Sequence, residues 1–195
     1  MVTLFSPLPD RIEVGGKEIL LAPSFDRVLE AFSVQRDPDL APEDKLEYLA
    51  FLIFQDYKRV KAQIWPEAVE AAFNLLLPEK GKGSGPRAFD FIQDAQLIYA
   101  GFMQAYHLDL YEQQGRLHWL KFIALFQGLP RDTKIMQVID IRMRPVPAPN
   151  KHNAKEIEEL MRLKSLYMLK MTQEERESQF QQGLQKVAKT IMNGG

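Results

Sequence analysis

Apolar residues recur at helical spacing along most of the chain. The pattern predicts one helix from Ser24, which would act as its N-cap, and further helices that begin at Pro42 and Pro66. The apolar stripe predicted for the second helix consists of Leu46, Leu49, Ala50, Ile53 and Tyr57. Pro78 would end the third helix, and the glycine-rich stretch 79–87 after it is expected to be a mobile loop.

Three more helical patterns follow, over residues 88–106, 117–127 and 133–143. The first two are apolar on several sides, so we expect other elements to surround them. One segment instead favours β structure, RIEVGGKEILL (11–21), where apolar residues alternate with charged ones on both sides of Gly15-Gly16. This arrangement predicts a hairpin with a two-residue turn.

The proline-bearing stretch RPVPAPN (144–150) is the predicted domain boundary. It would separate a helical core domain over 1–144, including the hairpin, from a C-terminal helical pair over 150–195. That pair would be either docked on the core or extended to a partner. Its two helices have capping-box starts, Asn153 with Glu156 and Thr172 with Glu175.

The last predicted helix has a narrow apolar stripe flanked by glutamines, a pattern typical of a seam with one partner helix. The residues of this predicted partner-binding stripe are Phe180, Leu184, Val187 and Ile191. The chain as a whole is expected to be mainly α: a multi-helix globular domain with a short N-terminal β-hairpin and a C-terminal helical extension.

The composition, 46% hydrophobic and 26% charged over 195 residues, is that of a globular domain. The chain has no cysteine, which excludes disulfides and cysteine-based metal or redox sites and suits a reducing compartment. A net charge of −1 gives no overall attraction to nucleic acid or to an anionic membrane. The N-terminus lacks an export pattern, and no apolar run reaches the about 18 residues that a membrane span needs. We therefore expect a soluble, cytoplasmic protein.

Candidate catalytic and metal-binding motifs are weak. The three histidines, His107, His118 and His152, are too dispersed for a zinc motif. The glycine-rich loop lacks the lysine and the serine or threonine of a phosphate-binding loop. We expect no catalytic, cofactor or metal site, and hence no enzyme.

Asp90 and Asp94 are four residues apart and would share a helix face. Such a pair could serve acid–base chemistry or a divalent cation, but no second acidic pair accompanies it, so a solvated helix face is favoured. Ordinary surface charge is likewise favoured over nucleic-acid binding for a group of basic residues that are not interleaved with aromatic ones. These are Arg131, Lys134, Arg142, Arg144, Lys151 and Lys155.

His118 and Trp119 stand inside the apolar run LHWLKFIALFQGLP (117–130). Adjacent helical residues point about 100° apart, so the two side chains cannot face the same neighbour. We expect Trp119 to lie in the core, because exposing so large an apolar side chain is costly. His118 is expected at the edge of the core with one hydrogen bond, for which an aspartate such as Asp109 is a candidate.

Several segments together resemble the bacteriophage gene-product-fifteen family. They are DFIQDAQLIYAGFMQAYHLDL (90–110), LHWLKFIALFQGLP (117–130), IDIRM (139–143) and the N-terminal LPDRIEVGGKEI. The central block carries nearly all of the specificity, and the resemblance spans most of residues 5–145.

The resemblance implies a tail assembly chaperone of a tailed phage or prophage. Such a protein would coat the tape-measure protein in the host cytoplasm before the tail tube polymerises. The implied partners are the tape-measure protein and the tail-tube protein, with a homo-oligomer also open. The alternative is a structural virion component such as a head–tail connector, whereas a nucleic-acid binder would concentrate positive charge, which this chain does not.

Overall fold

The computed structural model describes residues 4–77 and 87–171. These residues are mainly α-helical, as predicted, and their sheet is an antiparallel hairpin of β1 (Arg11–Val14) and β2 (Lys17–Leu20). The helices are α1 (Phe25–Arg36), α2 (Pro42–Ile53), α3 (Trp65–Leu76), α4 (Ala95–Tyr106), α5 (Trp119–Gln127), α6 (Lys134–Met143) and α7 (Ala154–Leu166). Two short 3-10 turns, Tyr57–Arg59 and Ala62–Ile64, connect α2 to α3.

The described residues form two compact units by their internal contacts. The N-terminal unit contains residues 4–77 and 95–137, and the C-terminal unit contains residues 87–94 and 138–171. The predicted division into 1–144 and 150–195 concerns which parts fold independently. Contacts within one chain do not test that property, so the division stays a prediction.

The hairpin confirms the sequence prediction in detail. Gly15 and Gly16 both have positive φ, 57° and 70°, which is the backbone of a type I′ turn and which side-chain-bearing residues rarely adopt. The register pairs Ile12 with Ile19 and places both side chains, together with Val14, on the buried face. The alternation of apolar and charged residues therefore sets which face of the hairpin meets α3, the helix that β1 contacts.

The core of the N-terminal unit is built around aromatic rings. α1 packs against α2 and α5, α2 against α3, and α4 against α5. Phe122, which is 1% exposed, stacks on Phe25 at 4.9 Å and on Phe102 at 5.2 Å between ring centroids. Rings from α1, α4 and α5 thus meet at one side chain, which joins helices that are distant in sequence.

α2 begins at Pro42 as predicted but ends at Ile53, one turn before Tyr57. The backbone after the helix pairs with the end of the hairpin instead: Ala22 N donates to Ile53 O at 2.8 Å, and Gln55 N donates to Leu20 O at 2.9 Å. The predicted stripe was therefore too long at its C-terminal end. Sheet-type pairing satisfies these backbone groups in place of a further helical turn.

The helix predicted over 88–106 begins only at Ala95. Residues 87–90 have no regular secondary structure and residues 91–94 form turns, in which the Asp90 carboxylate accepts hydrogen bonds from the backbone N–H groups of Ile92 and Gln93 at 2.9 and 3.0 Å. These are the side-chain bonds of an N-cap, and Asp94 N also donates to Asp90 O at 2.9 Å, so helix-like backbone starts only after Asp90.

The C-terminal unit holds the predicted helix from Asn153, but without the predicted capping box. The Asn153 amide points backward, accepting from Asn150 N at 2.7 Å and donating to Ala148 O at 2.9 Å, and makes no cap hydrogen bond. Ser24 likewise precedes α1 as predicted without a side-chain cap bond. The predicted loop over 79–87 lies outside the described residues except for Arg87, and the helix predicted from Thr172 lies wholly outside them.

Candidate functional site

The predicted partner-binding stripe, Phe180, Leu184, Val187 and Ile191, lies outside the described residues and stays a prediction. The described part of the C-terminal unit, residues 87–94 and 138–171, carries two features that bear on partner binding. One is a buried ionic cluster, and the other is a set of exposed apolar side chains.

Arg142 of α6 forms a bidentate ion pair with Asp94. Nη1 lies 2.7 Å from Oδ2 and Nη2 lies 2.8 Å from Oδ1, and the two side chains are only 10% and 4% exposed. Two parallel N–H···O bonds use the planar geometry of guanidinium and carboxylate fully. Two predictions are therefore wrong: Asp94 is not on a solvated face, and Arg142 is not ordinary surface charge.

Asp90 is buried as well, which corrects the other half of the carboxylate prediction. It pairs with Arg87 at 2.8 Å, and its own backbone N–H donates to Asp94 Oδ2 at 3.0 Å. We refer to Arg87, Asp90, Asp94 and Arg142 as the Arg142 cluster. Each carboxylate has its own arginine, so the cluster balances two negative and two positive charges, which is what burial of charged groups requires.

The Arg142 cluster also fixes the chain after α7. Arg142 Nε donates to Tyr167 O at 2.6 Å, and Arg87 Nη2 donates to Lys170 O at 2.7 Å. Gln93 adds a reciprocal pair with the Lys170 backbone, donating to its carbonyl at 3.2 Å and accepting from its N–H at 2.7 Å. Residues 167–170 are not helical. These bonds satisfy backbone groups that would otherwise need the hydrogen bonds of a helix.

Several large apolar side chains of the C-terminal unit are exposed despite this fixed backbone. The most exposed are Met168 at 75%, Leu166 at 64%, and Met161 and Ile92 at 58% each. We define the exposed methionine set as Met143, Met161, Met168 and Met171. Within α7 only Leu160 is fully buried, so most of this helix surface is open to solvent. Flexible, polarizable methionine side chains are favoured at surfaces that adapt to apolar partners.

His118 is the N-cap residue of α5 and has a structural role. Its Nδ1 accepts from Leu120 N at 3.1 Å, while Nε2 lies 3.0 Å from the carbonyl of Pro9. Because a carbonyl only accepts, Nε2 carries the hydrogen and the ring is neutral. Burial is the main factor that lowers the pKa of His118 below its usual 6.5, and the charge of Lys121 lowers it further.

Of the two other predictions for this region, one is confirmed and one is wrong. Trp119 is 2% exposed and packs edge-on against Phe32 at 5.6 Å, which confirms that it lies in the core. Asp109 is not the partner of His118, because its carboxylate accepts from the hydroxyl of Tyr99 at 3.3 Å and from Tyr111 N at 2.9 Å. The interactions of His118 join it to Pro9, 109 residues away, which no local pattern reveals.

Among residues 4–77 and 87–171, no group of three histidine, aspartate or glutamate side chains is placed to hold a metal ion. The helices of the same residues include none with the length and apolar character needed to cross a membrane.

The family described as Bacteriophage Gp15 protein matches residues 4–169. The chain belongs to this family. No curated protein and no solved structure matches it. The match to the Gp15 family includes both units and extends through the Arg142 cluster to the exposed end of α7.

Sequence reasoning found the carboxylates of this Gp15-family protein but missed their arginine partners. A signal was present, since Arg142 is a charged residue within the apolar pattern KIMQVIDIRM of α6. A charge beside apolar residues near a helix end indicates either exposure or a buried partner. The sequence does not identify Asp94 as that partner, because the two residues are 48 positions apart.

Proposed function

We propose that this Gp15-family protein is a tail assembly chaperone that binds the tape-measure protein before the tail tube polymerises. The observation that carries the proposal is the family match over residues 4–169, which makes the chain a bacteriophage protein. It acts, on this proposal, by binding rather than catalysis, in the cytoplasm of the infected or lysogenic host. Its partners are the tape-measure protein and, at hand-over, the tail-tube protein.

The exposed methionine set supports binding to a long, partly apolar partner. Met168 and Met161 are more than half exposed, Met168 on a backbone that the Arg142 cluster holds in place and Met161 on helix α7. Apolar side chains presented on an ordered backbone lose little further entropy on binding, which favours affinity. Methionine adapts to different apolar side chains, and a chaperone that covers many successive segments of one chain needs that adaptability.

The proposal is tested by co-expressing the protein with the tape-measure protein from the same phage and measuring capture on an affinity tag. Met161→Gln and Met168→Gln change only exposed side chains, so the fold should be kept. Together they should weaken capture by roughly tenfold or more, as the loss of interface anchors does. Leu75→Gln is the matched control, because Leu75 is an exposed apolar residue on α3 of the N-terminal unit.

Failure of the unaltered protein to capture the tape-measure protein would contradict the proposal. If the methionine variant and the control captured the tape-measure protein equally well, the binding surface would lie outside the exposed methionine set. The predicted stripe Phe180, Leu184, Val187 and Ile191 would then be the surface to change next. The alternative function, a head–tail connector or another structural virion component, predicts that the protein stays in finished particles.

A further inference from the structure

A groove of about 560 Å³ lies between strand β2 and residues 55–64. We refer to it as the β2 groove. At one end its two sides are paired, because Gln55 N donates to Leu20 O at 2.9 Å. The edge of β2 is therefore occupied by its own chain at that point, and the space beyond the pairing is open to the side chains of a partner. The volume lies within the about 300–1,000 Å³ typical of ligand sites.

Apolar side chains from both sides line the β2 groove. Leu20 on the strand is 43% exposed, and Val60 and Ile64 on the opposite side are half-buried. A concave surface with a few apolar side chains suits an amphipathic helix, whose apolar anchors recur at intervals of three or four residues.

The charges of the β2 groove favour an acidic occupant. Both acidic side chains of the lining form ion pairs with arginines at 3.1 and 2.8 Å: Glu18 with Arg11 and Asp56 with Arg59. Lys17 on β2 and Lys61 on the opposite side add two positive charges to these neutral pairs. An occupant whose apolar side chains are accompanied by carboxylates would therefore match the groove in polarity and in charge.

The chain itself contains a segment with both properties. The predicted stripe Phe180, Leu184, Val187 and Ile191 has intervals of four, three and four residues, as the anchors of a groove-binding helix do. The residues that precede it, TQEERE (172–177), carry three glutamates and one arginine. This segment lies outside the described residues, so its helix is the one predicted from the sequence.

We propose that the β2 groove binds residues 172–191 of a second copy of the chain as a helix. The apolar stripe of that helix lies against the apolar lining, and its glutamates face Lys17 and Lys61. Each copy supplies one groove and one segment, so the contact joins unlike surfaces of two copies. The inference concerns self-association and does not depend on the proposed function, since neither the tape-measure protein nor the exposed methionine set takes part.

The test measures self-association of full-length chains by light scattering over a range of concentrations. The groove variant combines Lys17→Glu with Lys61→Glu, and the segment variant combines Glu174→Lys with Glu177→Lys. Each variant brings like charges together and should self-associate roughly tenfold more weakly than the unaltered chain. An equal mixture of the two variants should recover association, because the unaltered groove of one then meets the unaltered segment of the other. A chain with all four changes should also recover it, because opposite charges face each other again.

A peptide of residues 172–193 shows where the segment binds. It is added to a full-length, nitrogen-15-labelled chain in which Leu184→Asp and Val187→Asp disable the chain's own stripe. The peptide should shift the amide signals of Leu20, Gln55 and Lys61, which line the groove.

The matched control combines Lys151→Glu with Lys155→Glu, the same change of charge on exposed residues of the C-terminal unit, and should leave self-association unchanged. Circular dichroism checks that every variant is folded. A monomeric unaltered chain at all concentrations would overturn the proposal, even if the tape-measure protein shifted the amide signals of the groove. Equal self-association of the groove variant and the control would also overturn it, as would unaltered groove signals with the peptide.

Discussion

Arg142 and Asp94 meet in a bidentate ion pair with N–O distances of 2.7 and 2.8 Å, and both side chains are almost fully buried. The same guanidinium reaches the carbonyls of Ala88 and Tyr167 at 3.2 and 2.6 Å. One side chain therefore connects the turn segment 87–94, the end of α6 and the chain after α7. The bonds to Tyr167 and Lys170 hold the backbone on both sides of Met168, whose side chain is 75% exposed.

Asp94→Ala should lower the free energy of unfolding by about 3–5 kcal/mol, because it leaves the buried Arg142 charge without a counter-charge. Chemical denaturation measures the change. Asp140→Ala is the matched control, since it removes one partner of the exposed Asp140–Arg144 pair, and it should cost less than about 1 kcal/mol. Equal losses for the two variants would mean that burial does not set the strength of the Asp94 pair.

Trp119→Ala should destabilise the protein by about 3–5 kcal/mol, because it removes a 2% exposed side chain and leaves a large cavity against Phe32 and Phe122. Trp65→Ala is the control with the same chemical change at a partly exposed position and should cost less. Thermal and chemical unfolding of both variants measure which substitution lowers stability more. An unchanged melting temperature for Trp119→Ala would contradict its place in the core.

The lowered pKa of His118 predicts loss of stability on acidification. A folded-state pKa below the usual 6.5 means that the unfolded chain binds the proton more readily. The stabilisation is present above pH 6.5 and is lost as the pH falls from there through the lowered pKa. His118→Asn keeps an acceptor at the N-cap but does not titrate, so its melting temperature should fall less between pH 7.5 and 5.5, a range chosen around about 6.5.

The control is His152→Asn, which makes the same substitution at an exposed histidine and is measured over the same pH range. If the melting temperatures of His118→Asn and of the unaltered protein fell equally with pH, protonation of His118 would not be coupled to folding.

Removal of residues 172–195 should leave a folded protein that has lost self-association or capture of the tape-measure protein. The apolar stripe with Phe180 and Leu184 is predicted to form a seam with a partner helix, so the remaining chain does not need it. Size-exclusion chromatography with light scattering and the pull-down measure the two losses. Leu184→Asp with Val187→Asp should reproduce them, whereas Gln182→Asp with Gln185→Asp should not.

A truncated protein that keeps both its oligomeric state and its partner would show that the interface lies elsewhere. Aggregation or unfolding of the truncated protein would instead show that the stripe belongs to the core.

Local signals predicted most of the described fold. The Gly15-Gly16 turn, the start of α2 at Pro42 and the start of α7 after Asn153 all depend on neighbouring residues, and the structure has them where the sequence placed them. The errors have two causes. α2 ends early because the distant residues Leu20 and Ala22 bind the backbone after it, and residues 88–90 are not helical because Asp90 makes N-cap bonds to Ile92 and Gln93.

The candidate site was harder to predict because the residues that pair in it are distant in sequence. The spacing of Asp90 and Asp94 was visible, but their burial depends on Arg87 and on Arg142, which comes 48 residues after Asp94. Without that knowledge, two carboxylates four residues apart are expected on a solvated face. Exposure of Met168 also cannot be read from the sequence, since methionine is among the residues most often buried.

The most direct test of a transient chaperone role is quantitative mass spectrometry on the phage or prophage that encodes the chain. The amount of the protein relative to the tape-measure protein is measured in the induced cell lysate and in purified particles. We predict a clear signal in the lysate and none above background in the particles, because a chaperone is released when the tube polymerises. A fixed ratio to the tape-measure protein in purified particles would contradict this account and would establish a structural virion component.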